Sequence, residues 1–218
     1  MFKRGNYMKI DSPKIPNDLP TINFQDIFYQ EDPELEMYLI NDSFFTNEVL
    51  HGVRLYKMHI KNCGFNNTDF RNIDITDVIF ENCDFSNANF SSSSIHRAIF
   101  KNCKILGVDF TESRFGNVEF DNSLLNLAAF GNSKLEKVKF QDSSLVSSDF
   151  YDCNFKNVEF RICNINNTNF ENTSLKGIDI SNSTFESLTV SLVDLKGCKV
   201  SSFQAIQFAS LLGLVITD

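Results

Sequence analysis

The stretch Ile75–Phe110 reads ITDVIFENCDFSNANFSSSSIHRAIFKNCKILGVDF, with an apolar residue at every fifth position. The same register runs unbroken from Ile40 to Val200: all 33 residues numbered as multiples of five are apolar, and 17 of them are Phe. A period of five fits neither a helix, at about 3.6 residues per turn, nor a plain strand, at about 2.0. The repeat therefore predicts a chain that changes direction once in every five residues.

Two further positions of the repeat are regular. The residue two places before each anchor is usually small, as at Cys83, Ala88 and Ser93, and residues two apart on an extended segment point the same way. Asn is frequent two places after the anchor, as at Asn82 and Asn102, and Asn tolerates turn dihedrals and can bond its own backbone. Equal turns close a coil, and stacked coils about 4.8 Å apart satisfy each other's backbone groups.

The units Ala88-Asn89-Phe90 and Val108-Asp109-Phe110 carry the pattern of a small residue, Asn or Asp, and then Phe. This pattern resembles the pentapeptide-repeat family. The resemblance implies an all-β fold, a right-handed quadrilateral β-helix with one five-residue unit on each side. About eight coils at ~4.8 Å would give a rod of ~40 Å.

We divide the chain into an N-terminal tail or cap (1–37), a pentapeptide-repeat β-helix (38–200) and a C-terminal helix and strand for dimerisation (201–218). All four prolines lie in the first segment, which we expect to be poor in regular structure. A short helix or cap near Glu31–Leu39 is expected to cover the first coil, because solenoids need covered ends.

The period stops after Val200, where Ser201 and Gln204 form the S-x-x-Q pattern of a capping box. A helix is expected to follow, with a short apolar strand over 214–217 after it. Its expected apolar stripe consists of Ala205, Phe208, Ala209 and Leu212. The segment is interpreted either as a lid on the last coil or as a two-fold dimer contact. The predicted dimer residues are Phe203, Ile206, Phe208, Leu211, Leu212, Leu214 and Ile216.

The six cysteines all occupy the small inward position of the repeat. They are Cys63, Cys83, Cys103, Cys153, Cys163 and Cys198. The sequence has no C-x-x-C pair, and its three histidines are scattered, so we interpret the thiols as small buried residues rather than as disulfides or metal ligands. Free thiols fit the reducing cytoplasm, and no secretory signal or transmembrane stretch is evident.

Two segments make the resemblance more specific. Residues 172–177 (NTSLKG) and the ending from Gln204 to Thr217 are similar to the Qnr-type quinolone-resistance proteins, most of all to those of Gram-positive chromosomes. The resemblance implies a homodimer joined at its C-termini. It also implies binding to type II topoisomerases, DNA gyrase or topoisomerase IV, as a protein mimic of duplex DNA, and protection of these enzymes from quinolones. Some relatives carry loops that interrupt the repeat, and this chain has none.

Sorting charges by side of the coil predicts a laterally polarised rod. The side centred on residues 70, 90 and 110 has a net charge of −6, and the side centred on 75, 95 and 115 has +5. The acids of the negative side, predicted to bind the partner, are Glu48, Asp69, Asp109, Glu112, Asp149, Asp152 and Glu171. Ordinary solvated charge on a solenoid remains the alternative interpretation.

A second candidate surface is apolar. Leu106, Leu124, Leu127 and Val146 occupy positions that should face solvent on one side of adjacent coils. Exposed apolar clusters often mark contacts, so we predict a topoisomerase contact here, with isolated surface residues as the alternative.

No nucleophile–base constellation, phosphate loop or metal motif is present in the sequence. We therefore predict a protein that is not an enzyme and has no catalytic residues, cofactor, metal or small-molecule substrate. Neither direct nucleic-acid binding nor membrane association is expected. The alternative function is a structural or interaction solenoid that binds another protein.

Overall fold

The computed structural model describes residues 8–209, 211, 213–215 and 217. It is a β-solenoid of about eight turns with a short C-terminal helix, which confirms the predicted β-helix. The strands are β1 Thr21–Ile22, β2 Glu34–Glu36, β3 Leu39–Asn41, β4 Arg54–Lys61, β5 Asp74–Glu81, β6 Ser94–Lys101, β7 Arg114–Asp121, β8 Lys134–Gln141, β9 Asn154–Arg161, β10 Thr168–Asn169 and β11 Leu188–Thr189. The helices are a 3-10 helix Phe24–Tyr29 and α1 Ser202–Ala209.

The coils stack in parallel and in register, with each residue paired to the one 20 positions later, as Ile75 is to Ile95. This register places anchors of the same side in columns. Phe80, Phe100, Phe120 and Phe140 form one column, with successive ring centroids 4.9, 4.9 and 5.1 Å apart. Parallel rings at this spacing match the rise of one coil, so the phenylalanines fill the interior continuously.

The turns lie where the Asn positions predict them. Asp77, Asn82, Asn87 and Ser92 have φ of 60°, 56°, 58° and 57°, which gives one coil its four corners. The Asn side chains, however, bond one another along the rod rather than their own backbone: Nδ2 of Asn102 donates to Oδ1 of Asn82 at 3.1 Å. Hydrogen bonds to nearby backbone are made instead by the outward residue directly before the anchor. For example, the amide of Thr111 donates to Asp109 Oδ1 at 2.9 Å.

The cysteines lie inside, as predicted, and all six thiols are free. Five are buried and Cys198 is partly exposed. Hydrogen bonding to Cys103, together with burial, raises the pKa of Cys83 to about 12. A thiol in this state is protonated and unreactive.

The N-terminal cap differs from the prediction. Glu31–Leu39 is not helical: it contains β2, whose Leu35 is buried and pairs with Leu55 of β4. The covering helix is Phe24–Tyr29, because Asn23 and Asp26 form a reciprocal capping box there. Its Phe24 closes the core, with its ring centroid 4.8 Å from that of Phe45.

Residues 8–20 lie lengthwise along the rod rather than forming a separate tail, and residues 1–7 of the predicted tail lie outside the described residues. The segment Met8–Pro20 has no strand pairing but donates three backbone hydrogen bonds to coils as distant as Glu159. The prolines therefore fix an extended segment on the surface.

The capping box at α1 is confirmed, since the amide of Gln204 donates to Ser201 Oγ and the amide of Ser201 donates to Gln204 Oε1. Gln204 is buried, and its Nε2 donates to the carbonyls of Ile180 and Ser183. The helix is thus a lid on the last coil. Phe208 of the predicted stripe packs on Phe185 as expected, whereas Ala205 of that stripe is exposed.

The predicted strand over 214–217 is not observed at Leu214, Val215 or Thr217, for which no hydrogen-bonded strand partner exists in the described part of the chain. Leu212 and Ile216 lie outside the described residues. Among the helices that the structure describes, none is long and apolar enough to cross a membrane.

Candidate partner-binding surface

The two surfaces that the sequence singles out lie on adjacent sides of the rod. We call the side that carries the bridged row Asp69, Asn89, Asp109, Ala129, Asp149 and Asn169 the acidic face. We call the side that carries the row Lys104, Leu124, Ser144 and Asn164 the apolar face. The corner that joins them runs through Gly107, Leu127 and Ser147, and we call it the joining edge.

Leu124 and Leu127 are the exposed centre of the apolar face, with 45% and 66% of their surface accessible. Leu106 and Val146 lie on the neighbouring coils and are half-buried. The amide of Leu127 donates to the carbonyl of Val146 at 3.0 Å, so these residues adjoin across coils. The four predicted residues therefore form one patch on and beside the joining edge.

Leu127 is unusual for its conformation as well as its exposure. It holds φ = 62° at a corner where the chain often places Asn, and left-handed backbone costs an L-residue with a Cβ roughly 1–2 kcal/mol. Its side chain points into solvent and gains nothing from the core in return. Strained, exposed apolar residues of this kind are typical of contact surfaces.

Sequence reasoning missed Ile162, which has the same character. It is exposed and holds φ = 54°, a conformation rare for a β-branched residue. It lines a shallow groove of about 360 Å³ with Leu124 and Thr184 at the far corner of the apolar face. The available signal was an Ile at the corner position that Asn102 and Asn122 occupy on earlier coils.

The acidic face carries its free charge unevenly. Asp69 lies 2.8 Å from Nη2 of Arg71 and 3.1 Å from Nε2 of His51. Burial alone would raise the pKa of Asp69, but hydrogen bonds from Arg71 and His51 outweigh it and hold the pKa below its usual value. Arg71 thus neutralises Asp69.

The later acids have no cation partner among the described residues. Asp109 accepts from the amide of Thr111, and Asp149 accepts from the amide of Tyr151 and from Nδ2 of Asn169. Glu112, Asp152 and Glu171 are exposed on the same face, as is Glu48 at its N-terminal end. The uncompensated charge therefore lies mainly between residues 109 and 171, beside the apolar patch.

Four of the nine lysines and arginines on the side predicted to be basic are ion-paired. Its ion pairs join Arg54 to Glu34 at 2.7 Å, Lys57 to Glu36 at 2.8 Å, Arg97 to Asp77 at 2.6 Å and Lys156 to Glu136 at 2.6 Å. This pairing weakens the positive field on that side. Within the described residues, no group of three or more His, Cys, Asp or Glu is placed to hold a metal ion.

The C-terminal lid exposes the other predicted surface. Phe203 is 68% accessible, and Ile206, Leu211 and Leu214 are also exposed, so four predicted dimer residues face solvent near the end of the rod. Phe208 does not, because it packs against Phe185 within the chain.

Comparison with known proteins agrees with this architecture. Residues 73–150 match the family described as Pentapeptide repeat region. The uncharacterized protein YisX of Bacillus subtilis (strain 168) is 37% identical over 74 residues, which are 34% of this chain and 34% of YisX.

Among solved structures, the fold is similar to QnrB1, a plasmid-mediated fluoroquinolone resistance protein. A trypsin-treated variant of QnrB1 gives a TM-score of 0.58 at 24% identity, over 82% of this chain and 90% of that one. Full-length QnrB1 gives a TM-score of 0.57 at 22% identity, over 89% of this chain and 95% of that one. Residues 73–150 therefore carry the pentapeptide repeat, and the chain has the β-helical fold of QnrB1.

Proposed function

We propose that this protein binds a type II topoisomerase, DNA gyrase above all, as a mimic of duplex DNA and protects the enzyme from quinolones in the cytoplasm. The observation that carries the proposal is the rod itself, which covers 95% of full-length QnrB1 and presents an acidic face beside an exposed apolar patch. The resemblance of residues 172–177 and of the C-terminal segment to Qnr-type proteins supports the same assignment.

Charge alone makes this a weak mimic. Duplex DNA carries one charge per ~1.7 Å, or about 24 over a ~40 Å rod, and few unpaired acids line the acidic face. The contact must therefore also use shape and local complementarity. Leu124 and Leu127 supply apolar surface that a partner could remove from water at about 25 cal/mol per Å².

The test is protection of gyrase supercoiling against a fluoroquinolone by the purified protein. We expect protection, and we expect the double variant Leu124→Glu, Leu127→Glu to lose it while remaining folded. A matched control, Phe44→Glu with Val49→Glu, changes two exposed apolar residues of the same two faces four coils nearer the N-terminus and should retain protection.

A folded wild-type protein that neither binds gyrase nor protects it would contradict the proposal and favour a solenoid that binds another protein. Binding to gyrase without protection of its supercoiling activity would contradict only the proposed protection from quinolones. Weakening of the complex by salt would support a contribution of the acidic face.

We further propose that the exposed side of α1 and the residues after it form a two-fold homodimer contact. The lid function uses Gln204 and Phe208, and it leaves Phe203 and Ile206 apolar and uncovered. Light scattering should give a dimer for the wild type and a monomer for Phe203→Glu with Ile206→Glu. A monomeric wild type at tens of micromolar would contradict the contact.

A further inference from the structure

The N-terminal segment Met8–Pro20 lies along the rod and hydrogen-bonds to it at a spacing that matches the rise of the coils. The amides of Lys14, Asp11 and Met8 donate to Asp77 Oδ1, Asn117 Oδ1 and Glu159 Oε1 at 2.9, 3.0 and 2.9 Å. The donors are three residues apart, while successive acceptors are about two coils apart. Three extended residues span about 9–10 Å, and two coils rise about 9.6 Å, so the two repeats agree.

One set of side chains in the segment is partly buried and the other is exposed, as expected for a segment that lies on the surface of the rod. Met8, Ile10, Pro13, Ile15 and Leu19 are partly buried, and the residues between them are mostly exposed. The three prolines of the segment reduce the freedom of the detached chain, which lowers the entropy lost on seating it.

Charged residues of the segment lie near residues of opposite charge on the rod. Arg97 hydrogen-bonds Asp77 and holds the pKa of that carboxyl below its usual value, against the opposing effect of burial, and Lys14 adds to the lowering. Asp11 in turn favours the charged form of Arg97. Asp77 and Asn117 are buried on this otherwise solvent-facing corner.

The seat lies at the corner formed by Asp77, Arg97, Asn117, Lys137 and Asn157. Positions ten residues apart in a four-sided coil of 20 residues occupy opposite corners, so this seat lies opposite the joining edge at Leu127. The segment therefore leaves the candidate partner-binding surface open.

We propose that Met8–Pro20 is a longitudinal brace that couples the coils from the N-terminal cap to β9. A solenoid coil contacts only its neighbours, so coils at the two ends open independently unless something spans them. The brace spans them, because its contacts reach from Asp77 to Glu159 and it continues into the cap, where Pro20 accepts from the amide of Leu39. Partner binding plays no part in this inference.

Hydrogen exchange of the full chain tests the brace with a matched pair of variants. Asn117→Gly removes the middle acceptor but keeps a residue suited to φ = 57°. Asn157→Gly makes the same change at an equivalent corner, also with φ = 57°, where no segment amide is bonded. Because one hydrogen bond is lost, we expect the amides of Asp11 and Lys14 to exchange about two- to tenfold faster in Asn117→Gly. Their exchange should be unchanged in Asn157→Gly.

The decisive amide is that of Lys14, which bonds a different coil. If the segment acts as one brace, Asn117→Gly accelerates exchange at Lys14 and Asp11 together. Acceleration at Asp11 alone, or equal effects of the two variants, would overturn the coupling.

A second pair of variants tests the effect on the coils. Ile10→Ser with Ile15→Ser unseats the apolar side of the segment, and Lys9→Ser with Asn17→Ser alters exposed positions as the control. We expect the first pair to accelerate exchange several-fold at the amides of Gly64 and Asn164, in early and late coils. Unchanged exchange at both amides would show that the segment lies on the rod without bracing it.

Discussion

Replacement of Phe130 by Ala tests the aromatic interior. Phe130 is fully buried, and its ring stacks on Phe110 and Phe150 with centroids 5.1 and 4.6 Å away. It also makes edge contacts with Phe120 and Phe140 at 6.3 and 6.0 Å. One truncation therefore removes a ring from its own column and that ring's edge contacts with the adjoining column.

The expected loss follows from how little the site can relax. Buried Phe→Ala changes cost about 3–5 kcal/mol, more where the cavity cannot collapse. Here the coils above and below are held by backbone bonds, including one from the amide of Phe130 to the carbonyl of Asp149 at 2.7 Å. We therefore expect a value near the upper end, about 4–5 kcal/mol.

Urea unfolding followed by circular dichroism measures the loss. With a dependence of about 2 kcal/mol per M, the midpoint should fall by about 2 M. The control is Phe28→Ala: Phe28 stacks on Phe45 at 5.4 Å but is 52% exposed, so its loss should be about 1 kcal/mol or less. A midpoint for Phe130→Ala equal to that of the control would refute the account of the core.

Three other predictions concern the corners, an ion pair and the thiols. Asn102→Val should destabilise by about 2–4 kcal/mol in thermal unfolding, since it breaks two ladder bonds and strains a left-handed corner, whereas Asn102→Gly should cost less. Asp77 has a lowered pKa beside Arg97, so its stabilising effect is present above about pH 4 and is lost as the pH falls through the lower folded value; Asp77→Asn should flatten acid unfolding in that window. A thiol reagent should modify the partly exposed Cys198 faster than Cys103 in the native protein, and equal rates would contradict the burial of Cys103.

The fold could be predicted because its determinants are local and repeated. An apolar residue at every fifth position and frequent Asn at the corners together specify one side of a coil, and the 20-residue register follows when four sides close. Cys83 and Cys103 could be placed inside by the same rule. Periodicity averages over many units, so a single irregular unit such as Ile162 does not disturb it.

The N-terminal segment could not be predicted because its contacts are few and distant. The amide of Asp11 meets Asn117 across 106 residues, and nothing in the local sequence of either residue indicates the other. The short helix or cap expected near Glu31–Leu39 is instead a strand for a related reason: Leu35 pairs with Leu55, 20 residues away. In both cases tertiary contacts decide the structure.

The predicted lateral charge is a sum over the sequence, and the ion pairs of the structure decide where the unpaired charge lies. Asp69 pairs with Arg71 of its own unit, and Arg97 pairs with Asp77 one coil away. Each pair joins residues already counted on one side, so the net charges are unchanged and the unpaired acids lie mainly on the later coils. What remains is a short acidic region around Asp109 and Asp149 that borders Leu127. A partner that recognised charge alone would find little to distinguish this region from an ordinary solvated surface. In the proposed complex, we expect the acids to orient the partner and the apolar edge to provide selectivity. Charge reversal at Asp149 should then slow association, while Leu127→Glu should speed dissociation.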